Sequence, residues 1–290
     1  MDFDNDGASD IAVYRAGNPC SSMFWIASAT GNQFQSTCFG DATYTGEVGG
    51  DFDADGFTET TAWQGSTGKW RVRSLVTGAT TFTTWGQSTS PYFDTPALGD
   101  YDGDGKTDFA IWRRQTSTFH VRKSSTGGTW TQQWGQPGDV AVPGDYDGDG
   151  KTDFAVYRPS TTEWWTILSS TGNGSVFAHI GVAGENDQPV PGDYDGDGKT
   201  DVAIVSPADR QWQVIRSSDG GSISVQWGQP TDIMVPGDYD GDGKTDPAVY
   251  RVMGTQGTWF VLESSTAFFG YTEIAWGAIG DVPLERAPKP

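Results

Sequence analysis

"GDYDGDGKTD" runs from Gly99 to Asp108, and the same ten letters return at Gly144, Gly192 and Gly237. Two looser copies precede them, with their first Asp at Asp2 and Asp51. Counted from that Asp, carboxylates fall at positions 1, 3, 5 and 9, and a glycine at position 6. Alternating carboxylates converge on one point only when the backbone coils around it, and the glycine permits the sharp turn this needs. Hard oxygen donors in a flexible loop suit Ca²⁺, whereas softer metals prefer thiolate or imidazole.

The expected ligands are therefore the position 1, 3, 5 and 9 carboxylates with the position 7 carbonyl. In the first two loops these are Asp2, Asp4, Asp6, Ala8 and Asp10, then Asp51, Asp53, Asp55, Phe57 and Glu59. The third and fourth supply Asp100, Asp102, Asp104, Lys106 and Asp108, then Asp145, Asp147, Asp149, Lys151 and Asp153. The last two supply Asp193, Asp195, Asp197, Lys199 and Asp201, then Asp238, Asp240, Asp242, Lys244 and Asp246. About six Ca²⁺ ions are expected, one per repeat. An EF-hand would need a bidentate Glu at position 12, but Val13, Ala62, Ile111, Val156, Ile204 and Val249 stand there, so that reading fails.

The first Asp recurs at residues 2, 51, 100, 145, 193 and 238, giving six units of 45 to 49 residues. Each unit holds an acidic loop, an apolar run such as "FAVYR" from Phe154, an aromatic run such as "EWWTIL" from Glu163, and Gly-rich or Ser/Thr-rich turns. Runs of about five β-branched and aromatic residues between such turns read as strands, four per unit. Four antiparallel strands per 40 to 50 residues, repeated, predict propeller blades. The expectation is one all-β domain over residues 1–290, a six-bladed propeller of four-stranded antiparallel blades. Residues 281–290 form its closing segment: "GDVPL" from Gly280 matches the strand before each loop, and should join the first blade and remove an open edge. Recurrent aromatics (Trp63, Trp112, Tyr157 and Tyr250 in one column; Trp85, Trp134, Trp227 and Trp276 in another, with Phe39 and Ile180 in the divergent units) are expected to pack blade against blade.

Charge follows the loops. Of 38 acidic residues 24 lie in them, leaving 14 against 18 basic ones, so the net charge of −20 belongs almost wholly to the repeated motif. No basic cluster suits nucleic acid, and no apolar run approaches the ~20 residues that span a bilayer. Met1 stands where the other copies have Gly, as expected of a chain that begins inside a repeat, so the lack of a signal peptide is uninformative.

The repeats resemble the FG-GAP/VCBS-type repeats of bacterial extracellular proteins and, more distantly, the calcium-bearing propeller of integrin α-subunits. The resemblance rests on D-x-D-x-D-G-x-x-D, with Glu59 its one departure. It implies a calcium-stabilised propeller, secreted or on the cell surface, that displays loops for binding carbohydrate or protein. "WGQPGDV" and "VPGD" stand where an integrin unit has Phe-Gly and Gly-Ala-Pro, so integrin partners do not carry over.

Loop length varies on the face opposite the acidic loops, where Tyr44, Tyr92 and Phe93 are candidate ligand-binding rings or packing for their own loops. Asp94, Asp139, Asp187, Asp232 and Asp281 recur six residues ahead of a loop position 1, or of its equivalent, and are expected to cap turns. Cys20 and Cys38 bracket one hairpin and are expected to form a disulfide, with two free thiols the alternative. With only His120 and His179, and no catalytic motif, the leading reading is a monomeric binding or adhesion module. The alternative is a polysaccharide lyase or hydrolase, or its accessory propeller.

Overall fold

A computed structural model describes residues 1–16, 22–27, 34–38, 44–87 and 94–284. The chain folds as an all-β propeller of four-stranded antiparallel blades. Five blades are each built from four consecutive strands, within residues 45–84, 94–133, 140–179, 188–226 and 233–278. A further four-stranded sheet is composite: Val282–Pro283 pairs with Ile11–Ala16, which is followed by Ser22–Ala27 and Phe34–Cys38. The structure thus shows five continuous blades where the repeats predict six units. The first repeat, which lacks a strand before its loop, enters a sheet completed from the C-terminal end. Tyr14 faces Val282 and Val13 faces Pro283 in that pairing.

The blade at 140–179 illustrates the construction. Val140–Ala141 leads into the acidic loop, and Phe154–Arg158 and Glu163–Ile167 form the middle strands. The outer strand, Gly174–His179, is largely exposed, Val176 and Phe177 included. In Phe154–Arg158 the first four residues are all buried, because both faces of this strand pack against neighbouring sheets. The acidic loop joins the first two strands at one end of the blade, and the turn between the last two lies at that same end. The connections 158–163 and 179–188 lie at the other.

Neighbouring sheets share buried clusters all the way round. Trp63 and Trp70 pack with Ile111, Trp112 and Phe119 with Phe154, and Tyr157 and Trp164 with Ile204. Trp212 joins Val249 and Phe260, Tyr250 and Trp259 join Ile11 and Val13, and Ala12 and Tyr14 join Ala62. Among the described residues the aromatic columns are this packing, as their recurrence predicts; Phe39 lies outside them. Three tryptophans also reach across as donors: Trp85 Nε1 to the His120 carbonyl at 2.9 Å, Trp134 to Trp165 at 3.2 Å, and Trp227 to Phe260 at 3.1 Å. Each satisfies its indole while burying it, which a bare apolar ring does not require.

Among the described residues no helix is long and apolar enough to cross a membrane. Cys20 lies outside the described residues, as does the Cys38 side chain, and with them the expected disulfide.

Candidate metal centres

The acidic loops coil as the spacing demands. In the fourth, Asp145 Oδ1 accepts the Gly148 amide at 2.7 Å and Oδ2 the Gly150 amide at 2.8 Å, so position 1 ties the loop around itself. Asp149 Oδ1 accepts the Lys151 amide at 2.9 Å. Gly150 has φ 83°, the left-handed conformation that the position 6 glycine was expected to supply. Position 4 needs positive φ as well: Gly148 has 80°, and Asn5 and Ala54 adopt 57° and 63° in the looser copies. The recurring Gly at position 4 was the available sign of it.

Position 9 anchors the loop to the blade. Asp153 is buried, and its Oδ2 accepts the Tyr146 amide at 2.8 Å while Oδ1 accepts the Ser169 amide at 2.7 Å. The Tyr146 hydroxyl in turn donates to the Val142 carbonyl, and Tyr101, Tyr194 and Tyr239 repeat the arrangement.

One carboxylate oxygen each from Asp145, Asp147 and Asp153 lies within 4.8 Å of the others, as does one each from Asp100, Asp102 and Asp108. Similar groups form from Asp2, Asp4 and Asp6, from Asp193, Asp195 and Asp197, and from Asp51, Asp53, Asp55 and Glu59. The donors are oxygens throughout. Burial pushes the carboxyls of Asp10 and Glu59 up to about 7, against amide bonds from Phe3 and Phe52 that favour the ionised form. It likewise lifts Asp153, Asp201 and Asp246 to about 6, offset in part by serine and tyrosine amides. Asp10 and Glu59 are each 2% exposed, yet Asp10 Oδ1 and Glu59 Oε1 have no hydrogen-bond partner. Buried, partnerless carboxylate oxygens at the centre of an acidic loop fit a hard cation better than they fit the protein alone.

The loops also bond to one another. The amide at position 8 donates to the position 1 carbonyl of the preceding loop: Thr58 to Asp2 (2.8 Å), Thr107 to Asp51 (2.6 Å), Thr152 to Asp100 (2.7 Å), Thr200 to Asp145 (2.6 Å) and Thr245 to Asp193 (2.5 Å). Ser9 donates to Asp238 and completes the circuit. Because a trans peptide opposes its N–H and C=O, this bond turns the position 7 carbonyl away from the neighbouring loop.

At the opposite end, the recurring Asp does cap its turn: Asp139 Oδ2 accepts the Gln136 amide at 2.9 Å. It also holds an arginine directly across the strand pair. Arg158 binds Asp139 through two nitrogens at 3.0 Å, Arg251 binds Asp232 at 2.7 Å, and Arg113 and Arg15 hold Asp94 and Asp281 in the same way. The arginines were visible in "IWRR" and "VYR", but only strand register pairs them with the aspartates. The fifth copy breaks the pattern. Register places Ser206 opposite Asp187, whose Oδ1 is buried without a partner and whose pKa is raised, mainly by burial.

Tyr44 corrects an expectation. Register places it opposite Gln64, at the position where other units carry the capping Asp, and its side chain is buried beside Tyr14, whose hydroxyl donates to the Tyr44 carbonyl at 2.6 Å. A ring packed there offers no stacking face. Tyr92 and Phe93 lie outside the described residues. His120 lies in the strand Thr118–Arg122, with its pKa lowered by burial and the nearby Arg113.

This loop-and-blade geometry has a match among protein families. Residues 100–204 carry FG-GAP-like repeats. The family model covers residues 100–156 and 145–204, each match running from one acidic loop into the strand after the next. Among curated proteins, none matches the sequence. Solved structures share the fold of this chain at low identity. A lectin of Agrocybe aegerita, described as recognising non-reducing terminal N-acetylglucosamine, is 12% identical with a TM-score of 0.54, over 88% of this chain and 73% of the lectin. A chain of a nidogen/laminin complex is 9% identical with a TM-score of 0.51, over 96% of this chain and 94% of the other. At these identities the likeness is one of fold.

Proposed function

We propose that the chain is a calcium-stabilised propeller, a closed ring of six blades with the composite sheet as the sixth, that binds carbohydrate or protein outside the cell through the face opposite its acidic loops. The observation that carries this reading is the set of acidic loops bound amide-to-carbonyl in a circuit, with buried carboxylate oxygens left unpartnered at Asp10 and Glu59. Such loops repel themselves without a cation. Position 1, 3, 5 and 9 carboxylates and the position 7 carbonyl would hold Ca²⁺, which would fix the face of short connections at one end. The other end, where connection length varies from blade to blade, is then free to differ and to recognise.

FG-GAP-like repeats and the fold shared with a lectin support a binding role, and the all-oxygen donor set supports calcium at extracellular concentrations. The protein would act as a monomer. A glycan array probed with the whole chain, once in millimolar calcium and once in chelator, tests this. Calcium-dependent capture of a defined glycan class without product formation supports the reading; turnover of a captured polysaccharide overturns it in favour of an enzyme.

A further inference from the structure

The turn closing the outer hairpin of a blade reads Ser124-Ser125, Ser169-Ser170, Ser217-Ser218 and Ser264-Ser265 in the last four units. Turn serines commonly spend their hydroxyls on their own backbone. These do not. The first serine donates its amide to the position 9 carboxylate, at 2.6 Å for Asp108 and 2.7 Å for Asp153, Asp201 and Asp246. Its hydroxyl reaches position 5: Asp104 at 2.9 Å, Asp149 at 2.7 Å, Asp197 at 2.9 Å and Asp242 at 3.0 Å. The second serine's hydroxyl reaches position 3, at 2.5 Å for Asp102, Asp147 and Asp195 and 2.6 Å for Asp240. Three of the four loop carboxylates are thus held from outside the loop.

The blade at 45–84 lacks the pair. There Leu75 and Val76 occupy the two positions and have no hydroxyl to give. The preceding Ser74 accepts the Thr77 amide within its own turn at 3.1 Å. Glu59 Oε1, the counterpart of the oxygen that accepts the serine amide in the other loops, is partnerless while the residue is 2% exposed. In the first unit the corresponding residues, Ala29 and Thr30, lie outside the described ones.

We propose that the paired serines are positioning residues for the metal carboxylates. They clamp the loops at Asp100, Asp145, Asp193 and Asp238 before an ion arrives, whereas the loop at Asp51, which has no such pair, binds calcium more weakly. This rests on the calcium reading above. A hydroxyl donated to an ionised carboxylate relieves the repulsion within the loop and fixes the rotamer, while the carboxylate keeps lone pairs for the metal. Less ordering is then left for the ion to impose. Outer partners of metal ligands are typically worth about 10–100-fold in affinity.

Native mass spectrometry of the whole chain during a calcium titration tests this. The wild type should pause before its last ions bind. Ser169→Ala combined with Ser170→Ala should lower the pause by one ion, which then needs about 10–100-fold more calcium. Leu75→Ser with Val76→Ser should raise it by one. Circular dichroism in chelator verifies that each variant is folded, and Ser170→Thr, which keeps a hydroxyl, should restore part of the loss shown by Ser170→Ala. Ions taken up in a single statistical progression, or a double-alanine variant that pauses at the same count as the wild type, overturns the proposal. A chain that takes up no calcium overturns the metal reading, and this proposal with it.

Discussion

Asp187 shows what one missing side chain does. In four other copies an arginine neutralises the buried aspartate through two hydrogen bonds, and each of those aspartate side chains is at most 1% exposed. Here Ser206 stands in the arginine's place. Burial raises the Asp187 pKa above its value in the unfolded chain, and the nearby charge of Asp209 adds to the shift. The sign follows by linkage: the carboxyl's favourable contribution is full below the unfolded pKa and is lost as pH rises through the folded one. Ser206→Arg should therefore stabilise the protein by about 1.5–3 kcal/mol at pH 7, the range for hydrogen bonds to charged groups. Denaturant melts at a series of pH values check this, and the gain should shrink as acid protonates Asp187. A variant no more stable than wild type at neutral pH contradicts it. The aspartates were legible as turn caps from recurrence alone. Their arginines were not, because a pairing across strands is set by register, which composition does not encode. The same register explains Tyr44, whose place at the head of a strand is buried whatever the residue there.

A blade's strands and its acidic loop could be read directly from the alternation of β-rich runs with Gly-rich and Asp-rich turns. The fit between adjacent blades could not. The glycine before position 1 is an instance: its conformation needs no glycine, but a Cβ on Gly144 would lie 2.7 Å from Thr200 Oγ1 and 2.9 Å from its Cγ2. Gly50, Gly99 and Gly192 are similarly crowded by Thr107, Thr152 and Thr245. Position 8 of one loop thus sits directly on the residue before the neighbouring loop, and a side chain between them would pry the blades apart. Gly144→Ala should cost about 1–3 kcal/mol, as overpacking does. Adding Thr200→Ala, which removes both crowding atoms, should recover most of it. A double-mutant cycle in denaturant measures the coupling, and strictly additive effects would show that this contact is not the cause. The recurrence of Gly was visible in the sequence, but its reason lies in the next repeat, some 56 positions along the chain.

Assembled, the sheets raise a problem and supply its answer. A net charge of −20 concentrated at one end of the molecule opposes compaction, because like charges drawn together repel. Buried clusters between every pair of neighbouring sheets and the loop circuit that returns from Ser9 to Asp238 hold against that repulsion. Pairing of Val282–Pro283 with the first repeat ties the two ends of the chain together, as the match between "GDVPL" and the strand before each loop predicts. On this account six divalent ions would offset twelve of the negative charges, and each would stabilise the folded ring over the unfolded chain by about 2.7 kcal/mol at a hundredfold excess over its dissociation constant. Scanning calorimetry of the intact chain in millimolar calcium and in chelator measures this most directly. A single transition that moves to markedly higher temperature with calcium is the predicted result; identical melting in both conditions would contradict it.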